Sequence, residues 1–158
     1  MNTNDDGTFL IVISGVVNEY AQKTLRSVPS QLDPSQKIEI NLKDVDAINS
    51  IGTIYWAELL KNIAMFGPTV LTHCSIAIVD CMNRVPSLAD NLKVESFYIP
   101  FRCTRCNRLT EHYIKLADLP ESEFSATVCK KCNETMTPEV NFDDYTAFRA
   151  YTKDGKAV

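Results

Sequence analysis

The sequence predicts an α/β domain over residues 1–99, a mixed sheet with packed helices, followed by a small cysteine-built unit with a short terminal helix over 100–158. Two observations carry this expectation. Up to Pro100, short β-branched runs alternate with segments of helical periodicity, the pattern of strands and crossover helices in a largely parallel sheet. Beyond it two Cys-x-x-Cys pairs replace that rhythm.

Phe9 to Val17, FLIVISGVV, reads as a buried strand bent at Gly15. Asn18 can cap a helix running to about Val28, with Ala21, Leu25 and Val28 on one face, and Pro29 stops it. After a polar connector, Ile38, Ile40 and Leu42 alternate with Glu39 and Asn41 as a half-buried strand. The strand leads into a loop, DVDAINSIG, and then a helix capped by Asn49 or Ser50. A polar loop before a helix N-terminus can serve as an ordinary cap or can hold a phosphate or a partner's acidic group.

Two faces are expected on this helix. Trp56, Ala57, Leu59, Leu60, Ile63, Ala64 and Phe66 fall on one arc and are assigned to the core. Ile54, Glu58, Lys61 and Met65 lie opposite at i, i+4, i+7 and i+11, which is either scatter on a solvent face or a docking stripe. Gly67-Pro68 ends the helix. Cys74–Val79 then reads as a strand, Asp80–Leu92 as a helix with an early Pro86, and Val94–Ile99 as a further strand.

KIEINLKDVDAINSIGTIYWAELL resembles the central signature of STAS domains, the fold of bacterial anti-sigma-factor antagonists, in which a buried strand leads into an Asp-Ser-Ser-Gly-like loop and a helix. The matching loop is Asn49-Ser50-Ile51-Gly52, and the pattern extends over about Thr8 to Pro100. The resemblance implies a STAS-like mixed sheet and a protein partner of the anti-sigma-factor or serine-kinase type. That partner would bind through Asn49, Ser50, Ile51, Gly52 and Thr53 and the stripe Ile54, Glu58, Lys61 and Met65. In the family, the phospho-acceptor is the Ser or Thr just before the Gly, a position held here by Ile51. Asn49 stands where the family has an acid, and Ser50 offers a hydroxyl one position early, so binding without the usual phospho-switch is expected.

The strongest chemical signal is in the tail. Cys103 and Cys106 form one pair, Cys129 and Cys132 the other, with 22 residues between them. Each turn brings two thiolates to one side of a loop, and two such turns face to face make the tetrahedral S4 cage that Zn2+ prefers, at the spacing of a zinc ribbon. Structural zinc is expected over disulfides or free thiols, and iron is compatible with the same ligands. Four thiolates close the shell and leave no place for an activated water. Cys74 and Cys81 are expected as buried thiols, and neither His73 nor His112 is given a chemical role. Phe142, Tyr145, Phe148 and Tyr151 recur at three-residue steps over Val140 to Tyr151, an aromatic stripe for packing on a short helix.

The composition excludes several classes. With 45% hydrophobic and 23% charged residues the chain is that of a globular protein, not a disordered one. No secretory signal or membrane span is visible, and a cytoplasmic protein is expected. Residues 1–100 carry seven Lys and Arg against eleven Asp and Glu, while the remainder is neutral, so nucleic acid is not the expected partner. Arg102, Arg105, Arg108, Lys130 and Lys131 near the cysteines keep a nucleic-acid-binding ribbon open as a third reading. There is no GxxxxGK[ST], GxGxxG behind a strand, GxSxG or HExxH, and no enzymatic activity is expected. Regulatory protein recognition is the leading expectation, with a scaffold or assembly subunit as the alternative.

Overall fold

The computed structural model describes residues 2–3, 7–90 and 92–152. The chain is mixed α/β. Its first sheet is built of β1 (Asn2–Thr3), β2 (Phe9–Val17), β3 (Ile38–Ile48), β4 (Thr69–Thr72) and β5 (Lys93–Val94), in that spatial order. All pairings are parallel except that of β1 with β2. Parallel neighbours need crossovers, supplied here by α1 (Gln22–Ser27), α2 (Ser50–Ile63) and α3 (Ile76–Arg84). The second sheet is antiparallel and curled. It holds β6 (Ser96–Cys103), β7 (Leu109–Lys115), β8 (Thr127–Val128) and β9 (Thr135–Pro138) in the order β7-β6-β9-β8, followed by α4 (Phe142–Tyr145).

Phe9–Val17 is a strand as expected, with register shifts against β3 on either side of Gly15, whose φ of 77° suits a residue without a Cβ. Asn18 accepts from the Tyr20 amide at 3.0 Å and starts a single 3-10 turn, after which α1 runs to Ser27. The expected loop after Leu42 is instead more strand: β3 continues through Asp44–Ile48, because β2 is long enough to pair with it as far as Val17. The connection to α2 is therefore Asn49 alone.

Three further elements differ from expectation. Cys74–Val79 is not a strand. The strand is Thr69–Thr72, and α3 begins at Ile76, burying Ile78, Val79, Cys81 and Met82 at helical spacing, a pattern that a short β-branched run conceals. The helix expected over Asp80–Leu92 accordingly lies earlier and stops at Arg84, since Pro86 disfavours a helical Val85. Val94–Ile99 is two strands. Glu95 turns the chain from one sheet into the other, its amide bonding to the Leu71 carbonyl at 2.9 Å, and a bridge between Cys74 and Phe97 joins the sheets. The division drawn between residues 99 and 100 falls within β6.

Trp56, Leu59, Leu60 and Ile63 of α2 are buried as assigned, whereas Ala57 and Phe66 are half-buried and Ala64 is exposed. The terminal stripe forms α4 and a 3-10 turn, not one helix. Phe142, Tyr145 and Phe148 are buried and Tyr151 is exposed. Phe148 meets Phe97 edge-on at 5.5 Å, and the Tyr145 hydroxyl donates to the Tyr98 carbonyl at 2.7 Å. Asn83 of α3 holds this segment by donating to the Tyr145 carbonyl (2.9 Å) and accepting from the Phe148 amide (2.8 Å). Asn83→Ala strands both groups and should cost about 2–3 kcal/mol, read as a lower denaturation midpoint in urea. An unchanged midpoint would mean that the aromatic contacts alone hold the tail. Among the described residues, no helix is long and apolar enough to cross a membrane.

Candidate metal centre

Cys103 closes β6 and Cys129 follows β8, so the two hairpins of the curled sheet each deliver one Cys-x-x-Cys turn to a common point. The turns are built alike. The Cys103 amide donates to the Arg108 carbonyl at 2.9 Å and the Asn107 amide to the Cys103 carbonyl at 3.1 Å. In the second turn the Cys129 amide donates to Glu134 and the Asn133 amide to Cys129, both at 2.8 Å. Asn107 and Asn133 take left-handed φ values of 57° and 58°, a conformation Asn tolerates and one that reverses the chain beside the sulfurs. Thr104 ties the turns together through its amide and hydroxyl, both donating to the Thr135 carbonyl.

The four sulfurs lie within 4.8 Å of one another, with Cys103 to Cys132 at 3.4 Å and Cys106 to Cys129 at 3.7 Å. A tetrahedral ion with metal–sulfur bonds of about 2.3 Å sets its ligands about 3.8 Å apart. The cage therefore fits a metal ion of that kind without rearranging the backbone.

Its electrostatics favour a cation. The Cys106 and Arg105 amides hold the Cys103 thiol down to about 6, against its burial, and the neighbouring sulfurs of Cys132 and Cys106 help. The Lys131 and Cys132 amides lower Cys129 in the same way. Cys132 is pushed up to about 12: the Glu134 amide pulls it down, but the crowding sulfurs of Cys103, Cys106 and Cys129, with burial, outweigh that amide. A divalent ion relieves this crowding by displacing the proton. The remaining thiols take no part. Cys74 is buried and pushed up to about 12 by desolvation, and Cys81 is buried against α2 with its sulfur 3.5 Å from the Thr53 hydroxyl. His112 stacks on Phe101 with ring centroids 4.5 Å apart and is no ligand to the cage.

The other candidate residues gather at the start and along the outer face of α2. Asn49 is the cap, its Oδ1 accepting from the Gly52 amide at 2.7 Å while its Nδ2 donates to Glu19 at 3.2 Å. Ser50 and Ile51 are exposed, Gly52 is buried against Val17, and Thr53 turns its hydroxyl to the Asn49 carbonyl. Ile54 is 64% and Met65 81% exposed, with Lys61 exposed between them. Glu58 is held by Arg26 of α1 through three contacts of 3.1–3.2 Å, so the stripe's carboxylate is already paired.

One cluster had no sequence signal. His73, in a left-handed turn after β4, packs its ring 5.0 Å from Tyr113 and 6.3 Å from Tyr98. The three residues come from a turn and from two paired strands, β6 and β7, lie far apart in sequence and share no motif. Comparison with known protein families found no matching family, and comparison with curated proteins found no match.

Proposed function

We propose that this chain is a non-enzymatic protein-recognition module that docks its partner on the outer face of α2 and the turn before it. The observation that carries this reading is where exposed apolar surface gathers. Among the described residues ten large apolar side chains are exposed, and six of them, Val12, Val16, Tyr20, Ile51, Ile54 and Met65, belong to β2, the turn after it, and α2 with its C-terminal end. Single exposed apolar residues are ordinary, but several carried by neighbouring elements mark a candidate interaction surface. Val12, Val16 and Tyr20 share a shallow cavity of about 380 Å³ between β2 and α1, and the Asn49–Glu19 bond joins that region to the start of α2.

The resemblance of Lys37 to Leu60 to the STAS signature adds the kind of partner: an anti-sigma-factor or serine-kinase-type protein in bacterial regulation. Ile51 at the family's phospho-acceptor position supports binding without that switch. The cage is read as structural Zn2+, which four thiolates at tetrahedral spacing suit and which leaves no open position for catalysis. An assembly-subunit role is the second reading, favoured by exposed Leu109, Tyr113 and Val128 on the ribbon.

The test is a pull-down from source cells with wild type and the double variant Ile54→Asp, Met65→Asp. Both side chains are exposed, so stability should stay within about 0.5 kcal/mol for each. A partner captured by wild type and lost from the variant, at equal metal content, is the expected result. Retention of the partner would move the interface off α2 and end this reading.

A further inference from the structure

The curled sheet leaves a cleft between its two edge strands. A cavity of about 460 Å³ is lined on one side by four consecutive residues of β7, 110–113, and on the other by residues 127–130, with Met136 of β9 between them. Successive side chains of a strand leave opposite faces, so four in a row can line one cavity only along the strand's free edge. β7 and β8 are the outer strands of their sheet, which is why both edges are free.

The ladder shows which backbone groups are left over. Cys103 donates to Arg108 at 2.9 Å and Leu116 donates to Glu95 at 2.8 Å. Between those two pairs, hydrogen-bonded partners recur at every second residue, so Thr110, His112 and Ile114 bond to β6. Leu109, Glu111 and Tyr113 turn their N–H and C=O groups outward. Cys129 donates to Glu134 at 2.8 Å, and the same alternation turns those of Val128 outward. Exposed Tyr113 and Val128 flank the opening. Arg108 and Lys130 line the cleft against one carboxylate, Glu111, and Arg105 and Lys131 stand exposed on the adjoining turns. Among the described residues none of these four cations is in an ion pair, whereas Arg102 is paired with Glu139 at 2.7 Å.

We propose that this cleft binds an extended acidic segment of a partner protein, added as a strand along β7 with its carboxylates on Arg108 and Lys130. Alternating backbone donors and acceptors match a peptide chain, whose own N–H and C=O groups alternate at the same spacing. The open edge from Leu109 to Tyr113 is five residues, about 16 Å, so a pentapeptide covers it. A single nucleic-acid strand offers no such alternation of backbone donors and acceptors, which is what favours a peptide here. The site is separate from the α2 surface and stands or falls without it.

The isotope-labelled, metal-loaded full chain is titrated with acetyl-Glu-Val-Glu-Val-Glu-amide, with the Lys-Val counterpart, and with a short oligothymidylate, and backbone amides are followed by NMR. Expected are saturable shifts confined to residues 109–113 and 127–130 with the acidic peptide, and none with the basic one. The double variant Arg108→Glu, Lys130→Glu should weaken the acidic peptide roughly tenfold or more and admit the basic one. A four-thiolate cobalt spectrum shows that the variant still folds. Should it not, Tyr113→Ala on the exposed wall is expected to weaken the same peptide. No saturable shift, shifts centred elsewhere, or equal binding of both peptides would overturn the proposal. So would oligothymidylate binding at these residues with steep salt dependence, which would make the cleft a nucleic-acid site.

Discussion

Stripping the metal from the loaded protein with a chelator should open the cage end of the second sheet while leaving the parallel sheet, α2 and the Phe97 end of β6 folded. Phe101, Phe124 and Met136 are among the few large side chains that the ribbon buries, so its order depends on the ion. In small four-thiolate sites metal binding supplies on the order of 10 kcal/mol, more than such a unit's own packing provides. The chain's single tryptophan, Trp56, lies buried in α2 and reports on the α/β part alone. Its fluorescence should therefore stay at its buried position while amide protection is lost around the cage, at the Cys103 end of β6 and across β8 and β9. Affinity for the ion should fall as pH is lowered, because protons compete for the four sulfurs. Amide protection that survives chelation would show that packing, not the ion, holds the ribbon.

Gly52→Ala is the other substitution with a large expected effect, and its sign separates two arguments. By helix propensity alone, alanine inside α2 should stabilise by up to about 1 kcal/mol. A Cβ built at Gly52, however, would stand 2.0 Å from the Val17 carbonyl oxygen and 2.6 Å from its carbon. Both obstacles are backbone at the end of β2, where Val17 also accepts from the Asn49 amide at 3.2 Å, so neither can swing aside like a flexible side chain. The start of α2 must retreat from the sheet, at a cost of about 3 kcal/mol or more. Thermal denaturation should show a clear fall in the midpoint, and a rise would mean that α2 shifts freely over β2. The same close approach gives a packing reason for glycine at this place in the first turn of α2.

Much of the fold was legible because the relevant signals are local. Phe9–Val17 carries β-branched residues and a bend glycine, α2 carries a cap and a three-turn apolar arc, and the four cysteines state their own spacing. The errors fall where local signals conflict. In Ser75–Arg84 a β-branched Ile-Ala-Ile-Val run hides the helical spacing that buries Ile78, Val79, Cys81 and Met82. Asp44–Ile48 reads as loop by composition, and only pairing with β2 makes it strand. What joins the two sheets lay beyond reach for the same reason: the turn at Glu95, the grip of Asn83 on the tail, and the ring cluster of His73, Tyr98 and Tyr113 all depend on partners far away in the chain. The cage was readable, but the cleft between β7 and β8 was not. A strand's free edge is a property of sheet order, and the local sequence does not encode it.

β6 acts as a ruler between two differently built environments. Phe97 near one end is fully buried beneath Phe148, and Cys103 at the other end supplies a sulfur to the cage. The two lie six positions apart on the same face, so each end calibrates the other. A slip of one residue would turn both inside out, exposing the ring and withdrawing the thiol together. Inserting two residues would restore the faces but carry the sulfur about 7 Å beyond its partners. The length of this one strand, more than any side chain along it, keeps the aromatic packing and the thiolate cage commensurate.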